Sequence, residues 1–413
     1  MIIGSMRKVN QNRADLPPKV VHFIWWIPHY RVPIFHRLSQ NSHLDFTVCA
    51  GDNTNVWRGA KIASASDVGM SEGINWRRLE SRRIKCPLFR DFEWQPEAIK
   101  IAWKEDVDVV ITLGYQSISN ILLRIICRLR GIPVIEWTLG VKRPERGLRW
   151  LIRKFYYKSA TAFLLYGEFA RDFFISRGFK KEQIFVVHNS LDHDRQVVVR
   201  ERIGPDQIER CRRDFGIIRP DHRLIFNSSR LEKGKQLHLL IEAVALLKQR
   251  GCYVRCILIG DGREEDSLKR LSQERGVADQ VVFYGACYDE EKLGLIISSS
   301  DLCVVPGEVG LVAMHSLVYG TPLLTCENTR GMHGPEIETI KEGLTGGYFK
   351  DGDSASLAEK MEEMLYPVPC KKRMSDACKQ IIDTQYTPEY QERAIMEAIN
   401  YVLLPEKRIP IRD

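Results

Sequence analysis

The sequence alternates between short apolar runs and longer segments with helical spacing, and this alternation occurs twice. In the first half, Val20 to Trp26, Val107 to Leu113 and Pro133 to Trp137 are apolar runs rich in β-branched and aromatic residues. In the second half, Leu224 to Asn227 and Tyr253 to Ile259 have the same character. Buried strands separated by helices favour parallel pairing through right-handed crossovers. The pattern predicts an α/β protein with two Rossmann-like, doubly wound domains.

The alternation lapses between residues 192 and 222, where the chain is charged and lacks apolar periodicity. A chain of 413 residues is also too long for one ordinary domain. We therefore predict an N-terminal domain at 1–200 and a C-terminal domain at 201–385, with a C-terminal helix in 386–413 that packs back on the N-terminal domain. Ligands of such sheets bind outside the carboxyl ends of the strands, which predicts a cleft lined by both sheets.

Composition narrows the location of the protein. Hydrophobic residues make up 44% of the chain, yet no apolar run is long enough to span a membrane. The first 17 residues are polar and do not resemble a secretory signal. The eleven cysteines are widely spaced and form no CxxC pair, which favours buried, reduced thiols. We therefore predict a cytoplasmic protein.

The charge is concentrated in the first half of the chain. Residues 1–200 carry 32 Lys and Arg against 19 Asp and Glu, a net charge of +13, whereas the remainder carries −5. The segment from Arg146 to Lys158 interleaves bases with apolar residues, which fits a helix lying on an anionic membrane surface. It equally fits a helix with a core-facing apolar stripe and a solvated basic face. No nucleic-acid-binding motif accompanies the charge, and we predict no nucleic-acid partner.

Two cations follow a strand in the second half. Arg230 and Lys235 come after the small-residue turn Asn227-Ser228-Ser229 and just before a predicted helix. Free N–H groups at the start of a helix favour anions, Arg can fork onto phosphate oxygens, and Lys supplies a mobile charge. A solvated, charged turn is the alternative interpretation of the same residues.

A second loop in this half contains glycines. Val304 and Val305 end an apolar run, and Gly307 and Gly310 then lead into a predicted helix. Glycines let the backbone approach a ligand, and the start of the helix offers its amides. Both loops follow strands of one sheet and should converge, which predicts that Arg230 holds an anionic ligand there together with Lys235.

Several segments in this order resemble the group 1 (family 4) glycosyltransferases. The similar segments are Arg230 to Ala243, Ile259 to Gly262, Val282 to Gly285, Gly310 to Pro322, Pro335-Glu336, Glu342-Gly343 and Thr345-Gly346. The resemblance covers residues 224–350 closely and the first half more loosely. It implies a GT-B fold, a nucleotide-diphosphate sugar as donor, and retention of anomeric configuration without a metal or other cofactor.

The resemblance also implies roles for individual residues. Arg230 and Lys235 match the pair that stabilises the leaving diphosphate, which is electrostatic catalysis of a developing charge. Glu308 would be the third catalytic residue. The residues expected to bind the donor are Ser229, Gly260, Gly307, Val309, Gly310, Leu311 and His315.

The sequence departs from the family at several of these positions. Relatives usually carry two glutamates that flank the Gly-Leu step, and these positions hold Gly307 and His315 here. Glu308 could replace the first glutamate, and His315 could bond a ribose hydroxyl or be a buried structural histidine. In the first domain, Leu139 stands where many relatives have a histidine after a Trp. The turn after the first strand is Pro28-His29-Tyr30-Arg31 instead of a glycine-rich one.

Acceptor recognition is expected in the first domain, where three segments follow strands. His29, Tyr30 and Arg31 form one segment, Tyr115-Gln116 another, and Glu136 to Lys142 the third. Glu136 could act on an acceptor hydroxyl or form a salt bridge with a nearby arginine. The predicted function is a retaining transfer of a hexose from a nucleotide sugar to a carbohydrate or lipid-linked acceptor, by a cytoplasmic protein that can lie at the membrane periphery. A catalytically reduced GT-B protein that binds a sugar nucleotide or a partner glycosyltransferase, and a nucleotide-sugar epimerase, are the alternatives.

Overall fold

The chain divides into two compact units in the computed structural model. The structure describes residues 16–51, 73–84, 92–114, 118–327, 331–366, 371–403 and 409. The first unit comprises residues 1–190 and 388–413, and the second unit comprises residues 191–387.

The first unit is built on a parallel sheet whose strands are connected by helices. Its elements, up to residue 190, are β1 (Lys19–Ile24), α1 (Val32–Gln40), β2 (Asp45–Ala50), β3 (Trp76–Arg78), β4 (Arg82–Ile84), β5 (Phe92–Trp94), α2 (Pro96–Lys104), β6 (Val109–Leu113), α3 (Ile118–Arg130), β7 (Val134–Thr138), α4 (Gly147–Tyr157), β8 (Ala162–Leu165), α5 (Glu168–Ser176) and β9 (Ile184–Val186). Seven strands pair in the order β3-β2-β1-β6-β7-β8-β9, and β4 pairs with β5 in a separate antiparallel ribbon.

The second unit repeats this architecture. Its elements are α6 (His193–Arg202), α7 (Pro205–Asp214), β10 (Arg223–Ser228), α8 (Leu237–Gln249), β11 (Val254–Ile259), α9 (Glu265–Glu274), β12 (Val281–Gly285), α10 (Glu290–Ser299), β13 (Leu302–Val305), α11 (Val312–Val318), β14 (Leu323–Cys326), β15 (Gly346–Phe349), α12 (Ser354–Leu365) and α13 (Lys371–Gln385). Six parallel strands pair in the order β12-β11-β10-β13-β14-β15. The last helix of the chain, α14 (Pro388–Val402), belongs to the first unit.

Each sheet is covered on both faces, which explains why its central strands are apolar runs. Successive residues of a strand point to opposite faces. In β6, Val109 and Ile111 accordingly lie in one core cluster while Val110 lies in another. In β10, Ile225 and Phe226 are divided between two clusters in the same way. The predicted α/β architecture is therefore confirmed.

Helix α14 completes the core of the first unit. Ile395 and Ile399 are fully buried in the same cluster as β1, β6 and β7. Gln391 donates a hydrogen bond from Nε2 to the His188 carbonyl oxygen over 2.8 Å and accepts one from the Ser190 hydroxyl over 2.8 Å. A segment almost 200 residues further along the chain thus fastens the end of the first unit.

The units divide at residues 190/191 rather than near residue 200, where the sequence placed the boundary. The charged stretch at 192–222 contains two helices, α6 and α7, that the apolar pattern did not reveal. Their buried residues are few, and polar contacts attach them: Arg200 pairs with Asp383 at 3.0 Å and Arg212 with Asp301 at 3.0 Å. Helices held in this way leave little periodic signal.

The strand order of each sheet reverses at one point, between β1 and β6 in the first unit and between β10 and β13 in the second. At such a switch point the connections leave in opposite directions and open a crevice at the carboxyl ends of the strands, where ligands bind. Among the described residues, no helix combines the length and apolarity needed to cross a bilayer.

We expect Ile399→Ala to lower the free energy of unfolding of the first unit by about 2–5 kcal/mol, because it leaves a cavity in a closed core. All eight tryptophans lie between Trp25 and Trp150, so tryptophan emission during urea unfolding follows this unit selectively. Glu397→Ala, at an exposed position of the same helix, is the matched control and should unfold like the wild type. Equal midpoints for Ile399→Ala and the wild type would show that α14 is dispensable to the core.

Candidate functional site

The switch point of the second unit is built around Asn227 at the end of β10. This side chain is fully buried, and its Nδ2 donates a hydrogen bond to the Val304 carbonyl oxygen on the neighbouring strand β13 at 2.7 Å. Its Oδ1 accepts a hydrogen bond from the Ser229 hydroxyl at 2.6 Å. One amide therefore ties together the ends of both strands and the first turn of the loop after β10. Ser229, predicted to contact the donor, has this structural partner.

The loops after β10 and β13 touch backbone to backbone. A Cβ at position 307 would lie 2.3 Å from the Gly234 carbonyl oxygen, closer than any side chain could remain. The Glu308 amide donates to the Gly234 oxygen at 3.2 Å, and the Lys235 Nζ donates to the Glu308 carbonyl oxygen at 2.7 Å. Gly307 therefore serves the contact between two loops, whereas the sequence suggested that it lets the backbone approach a ligand. Glu308, half-buried, contributes its main chain to the same contact.

Glycines also bring a third loop into this arrangement. A Cβ at Gly260 would lie 2.1 Å from the Ser229 carbonyl oxygen, and one at Gly262 would lie 2.3 Å from that of Leu231. Both glycines have positive φ, +140° and +157°, which other residues rarely adopt. The Leu231 amide donates to the Asp261 carbonyl oxygen at 2.7 Å. Gly260, predicted to bind the donor, thus lets the turn after β11 support the loop after β10.

Arg230 and Gly310 remain open to a ligand. The Arg230 side chain is exposed and makes no hydrogen bond or ion pair with any residue that the structure describes. A Cβ at position 310 would meet no atom within 4 Å. Leu311, half-buried, follows at the start of α11. An exposed guanidinium, an ammonium group held between two loops, and an open glycine backbone lie along one sheet edge, which suits a phosphate-bearing ligand.

Val309 is buried and does not present its side chain to a ligand. Its amide donates to His333 Nδ1 at 3.1 Å, and its carbonyl oxygen accepts from the Gly334 amide at 2.9 Å. The other ring nitrogen of His333, Nε2, lies 3.1 Å from the Cys326 carbonyl oxygen. Since Nδ1 accepts, the ring proton is on Nε2. Sequence reasoning missed His333, although its position between Gly331 and Gly334 is a recognisable signal.

His315 contacts a carboxylate that the sequence did not link to it. Its Nε2 lies 2.9 Å from Glu290 Oε1 at the start of α10, and the Tyr319 hydroxyl donates to the same oxygen at 2.7 Å. Burial alone would raise the pKa of Glu290, but the hydrogen bonds and charge of its partners, His315 first, lower that pKa to about 2. A ligand contact by His315 would therefore have to use Nδ1.

Glu136 in the first unit is an internal ion-pair partner. It is fully buried, pairs with the buried Arg124 of α3, and accepts a hydrogen bond from the Thr112 hydroxyl at 2.5 Å. Of the two roles that the sequence left open, the structure shows the salt bridge. Glu136 and Trp137 are consecutive in β7 and therefore point to opposite faces of the sheet.

His29, Tyr30 and Arg31 form one short 3-10 turn after β1, at the switch point of the first unit. His29 and Tyr30 are half-buried and lie edge to face, with ring centroids 5.8 Å apart. Arg31 is buried, and its guanidinium lies over the rings of Trp137 and Tyr166. Leu139 is exposed in the loop after β7, and Tyr115-Gln116 lie outside the described residues.

We expect Gly307→Ala to destabilise the second unit by about 1–3 kcal/mol, because the new methyl group must push two loops apart. Gly310→Ala is the matched control and should have little effect, since its methyl group meets open space. Calorimetry that resolves the transition of the second unit measures both. Equal melting temperatures for the two variants would contradict the backbone contact at Gly307.

Comparison with known proteins finds a family that the second unit is similar to. The family described as "Glycosyl transferases group 1" matches residues 212–380, which include both loops of the switch point. EpsD of Bacillus subtilis, named as a glycosyltransferase, is 29% identical over 171 residues, which are 41% of this chain and 43% of EpsD. The lipopolysaccharide core biosynthesis glycosyltransferase LpsE of Rhizobium meliloti is 27% identical over 172 residues, which are 41% of this chain and 47% of LpsE. The chain thus matches less than half the length of either relative.

The fold extends the similarity to both units. The structure is similar to that of HepE from Anabaena, solved in complex with UDP-glucose, with a TM-score of 0.64 at 17% identity. The similarity covers 92% of this chain and 99% of HepE. Two parallel, doubly wound sheets and the match to this structure show that the chain has the GT-B fold. Within that fold, residues 212–380 are similar to the group 1 glycosyl transferases.

Proposed function

We propose that the protein is a retaining glycosyltransferase that moves a hexose from a nucleotide-diphosphate sugar to a carbohydrate or lipid-linked acceptor. The observation that carries the proposal is the pair Arg230 and Lys235 at the switch point of the second unit, one exposed and one held between two loops. HepE, with the same fold, was solved with UDP-glucose, which supports a nucleotide sugar as donor. The name of LpsE supports a role in polysaccharide assembly.

The chemistry follows from where charge develops. When the bond between the sugar and the diphosphate breaks, negative charge grows on the departing oxygen, and cations fixed in advance stabilise it. Arg230 can fork onto phosphate oxygens, and the bond from Lys235 to the Glu308 carbonyl oxygen orients its ammonium group. The acceptor hydroxyl oxygen forms the new bond to the sugar as the bond to the diphosphate breaks, and its proton passes to the departing diphosphate oxygen. Because two side-chain cations supply the positive charge, the proposal includes no metal.

A catalytically reduced protein that binds a sugar nucleotide is the second candidate. The observation that favours it is that His315 stands where relatives carry a glutamate and that its ring is hydrogen-bonded to Glu290. Calorimetry with a panel of nucleotide sugars, followed by assays of donor hydrolysis and transfer, separates the two functions. Binding without either reaction favours the reduced protein. Conversion of the donor without an acceptor would instead indicate an epimerase.

We expect Arg230→Ala and Lys235→Ala each to reduce transfer by at least about a hundredfold, because each removes charge stabilisation from the transition state. Arg270→Ala, which removes an exposed cation on α9, is the control and should keep wild-type turnover. Calorimetric melting of all three variants shows whether the fold is intact. Unchanged turnover in both site variants would reject the proposed function.

We further propose that the protein works at the cytoplasmic membrane surface, and the reason is an exposed apolar face on two helices of the first unit. On α4, Leu148, Leu151, Ile152 and Phe155 are 60–82% exposed at helical spacing. On α3, Ile121, Leu122, Ile125 and Leu129 are 38–69% exposed. These eight residues are called the apolar face. Exposed apolar patches of this kind mark interaction surfaces.

The core-facing side of α4 is formed by other residues. Trp150, Arg153 and Tyr157 are buried, so the apolar stripe points to solvent rather than to the core, which was the alternative from sequence. Arg124 of α3 joins the helices: it donates to the Tyr156 carbonyl oxygen at 3.1 Å and to the Ser159 hydroxyl at 2.7 Å.

The charge around the apolar face favours an anionic bilayer over other partners. Exposed bases flank it at Arg128, Arg143, Arg146, Arg149 and Lys158. An amphipathic helix with bases beside its apolar side inserts shallowly into such a surface, and each base near it contributes about 1 kcal/mol. A membrane position would bring the first unit close to lipid-linked acceptors.

We expect the double variant Leu151→Ser, Phe155→Ser to bind vesicles of phosphatidylcholine with 30% phosphatidylglycerol at least tenfold more weakly than the wild type, because it removes inserted apolar surface. Ile218→Ser, at an exposed apolar position of the second unit, should bind as the wild type does. Vesicle co-sedimentation measures both. Equal vesicle binding by the double variant and the wild type would contradict the proposal. So would a wild type that does not bind these vesicles and instead self-associates, as measured by light scattering.

A further inference from the structure

The first unit contains a buried arginine with unused hydrogen-bond donors at its own switch point. Arg31 is only 7% exposed, and its Nε and Nη1 are buried without a hydrogen-bond partner. It lies in the connection after β1, where the strand order reverses between β1 and β6. This is the position in the first sheet that corresponds to the loop of Arg230 in the second.

Aromatic side chains with unused polar atoms surround this guanidinium. Its carbon lies 4.6 Å from the ring centroid of Trp137 and 5.6 Å from that of Tyr166. Trp137 Nε1, the Tyr166 hydroxyl and His22 Nε2 are also buried without a hydrogen-bond partner. The rings of His22 and Trp137 are 5.5 Å apart. We call these four residues the Arg31 cluster.

Other buried arginines of the same unit are paired with a carboxylate. Arg124 pairs with Glu136, and Arg153 pairs with Glu145 at 2.5 Å. Among the described residues, by contrast, no carboxylate pairs with Arg31. Arg31 has a side-chain hydrogen bond with Tyr30 but, within the part of the chain that the structure describes, no opposite charge beside it. A buried charge in that position is costly, and the aromatic faces compensate for only part of that cost. A ligand that carries negative charge would supply the missing partner.

The neighbouring histidine contributes no charge of its own. Burial, and next the positive charge of Arg31, lower the pKa of His22 to about 3, so the ring is neutral at physiological pH. Its Nδ1 lies 3.3 Å from the Ile111 carbonyl oxygen, which fixes the ring proton on that nitrogen. Nε2 is then an acceptor. The Arg31 cluster therefore offers donors for an oxyanion and one acceptor for a hydroxyl group.

We propose that the Arg31 cluster binds an oxyanion, a phosphate or a carboxylate, carried by the acceptor substrate. Arg31 supplies the charge, and Trp137 and Tyr166 supply further N–H and O–H donors. The attribution to the acceptor rests on the proposed function, which gives acceptor recognition to the first unit. The presence of an oxyanion site in the Arg31 cluster rests on the described contacts alone.

Tryptophan fluorescence tests the site without any turnover. Because all eight tryptophans lie between residues 25 and 150, emission reports on the first unit selectively over anions held by Arg230 or Lys235. The full chain is titrated with inorganic phosphate and, separately, with acetate, at an ionic strength held constant by chloride. We expect saturable binding of at least one anion, and the anion that binds more tightly identifies the ligand group.

Single substitutions test whether the fluorescence change comes from the Arg31 cluster. Arg31→Gln should weaken the anion at least tenfold, and Trp137→Phe should reduce the amplitude of the signal. Lys180→Gln, which removes an exposed base of the first unit that belongs to no proposed site, should bind as the wild type does. An unchanged affinity in Arg31→Gln, or no saturable binding of either anion by the wild type, would overturn the proposal.

Thermal melting separates a binding role from a structural one. Arg31→Met removes an unpaired buried charge, so without anion it should melt at or above the wild-type temperature. Melting of the first unit is followed by tryptophan emission, because all eight tryptophans lie in it. Phosphate or acetate should raise this melting temperature in the wild type and in Arg31→Lys but not in Arg31→Met. A loss of stability in Arg31→Met, with no effect of either anion on the wild type, would make Arg31 a structural residue. None of these measurements requires glycosyl transfer. Unchanged turnover in the Arg230 and Lys235 variants would therefore reject the proposed function but not the oxyanion site, and absence of anion binding would reject the oxyanion site but not the proposed function.

Discussion

The backbone contact between the loops after β10 and β13 determines the geometry of the proposed donor site. Gly307 lies so close to Gly234 that neither loop can move inward, and the Lys235 ammonium group is fixed to the main chain of the opposite loop. The two strands themselves are joined at their ends by the buried amide of Asn227. Because the Lys235 ammonium group is bonded to a main-chain oxygen, its position follows from the contact between the two loops. A site arranged in advance in this way stabilises developing charge without reorganising.

The strands and helices that could be predicted from the sequence are those with an apolar run or an apolar side. Strands such as β6 and β13 are buried on both faces and stand out as continuous runs, as do helices with one apolar side. Helices α6 and α7 were missed because ion pairs and capping attach them rather than an apolar stripe. Strands β3 and β15 lack an apolar run: β3 is mostly arginine, and β15 begins with two glycines. The boundary shifted for the same reason, since the polar helices belong to the second unit.

The site was predictable where residues are close in sequence and hidden where they meet only in space. Arg230 and Lys235 could be recognised from one turn. His333 and Glu290 reach Val309 and His315 from other elements, so no local pattern connects them. The role of Gly307 likewise depends on a contact with Gly234, some seventy residues away. Glu136 was interpreted two ways because its partner, Arg124, lies on a different element.

The position of helix α14 in the chain determines the order in which the two units can complete their cores during synthesis. The second unit is an uninterrupted stretch of chain, so it has all its strands and helices once residue 387 has left the ribosome. The first unit begins earlier but still lacks Ile395 and Ile399, which fill its core. Until these residues emerge, the apolar surface of β1, β6 and β7 has no cover from α14. The unit whose residues are made first is therefore the unit whose core is completed last.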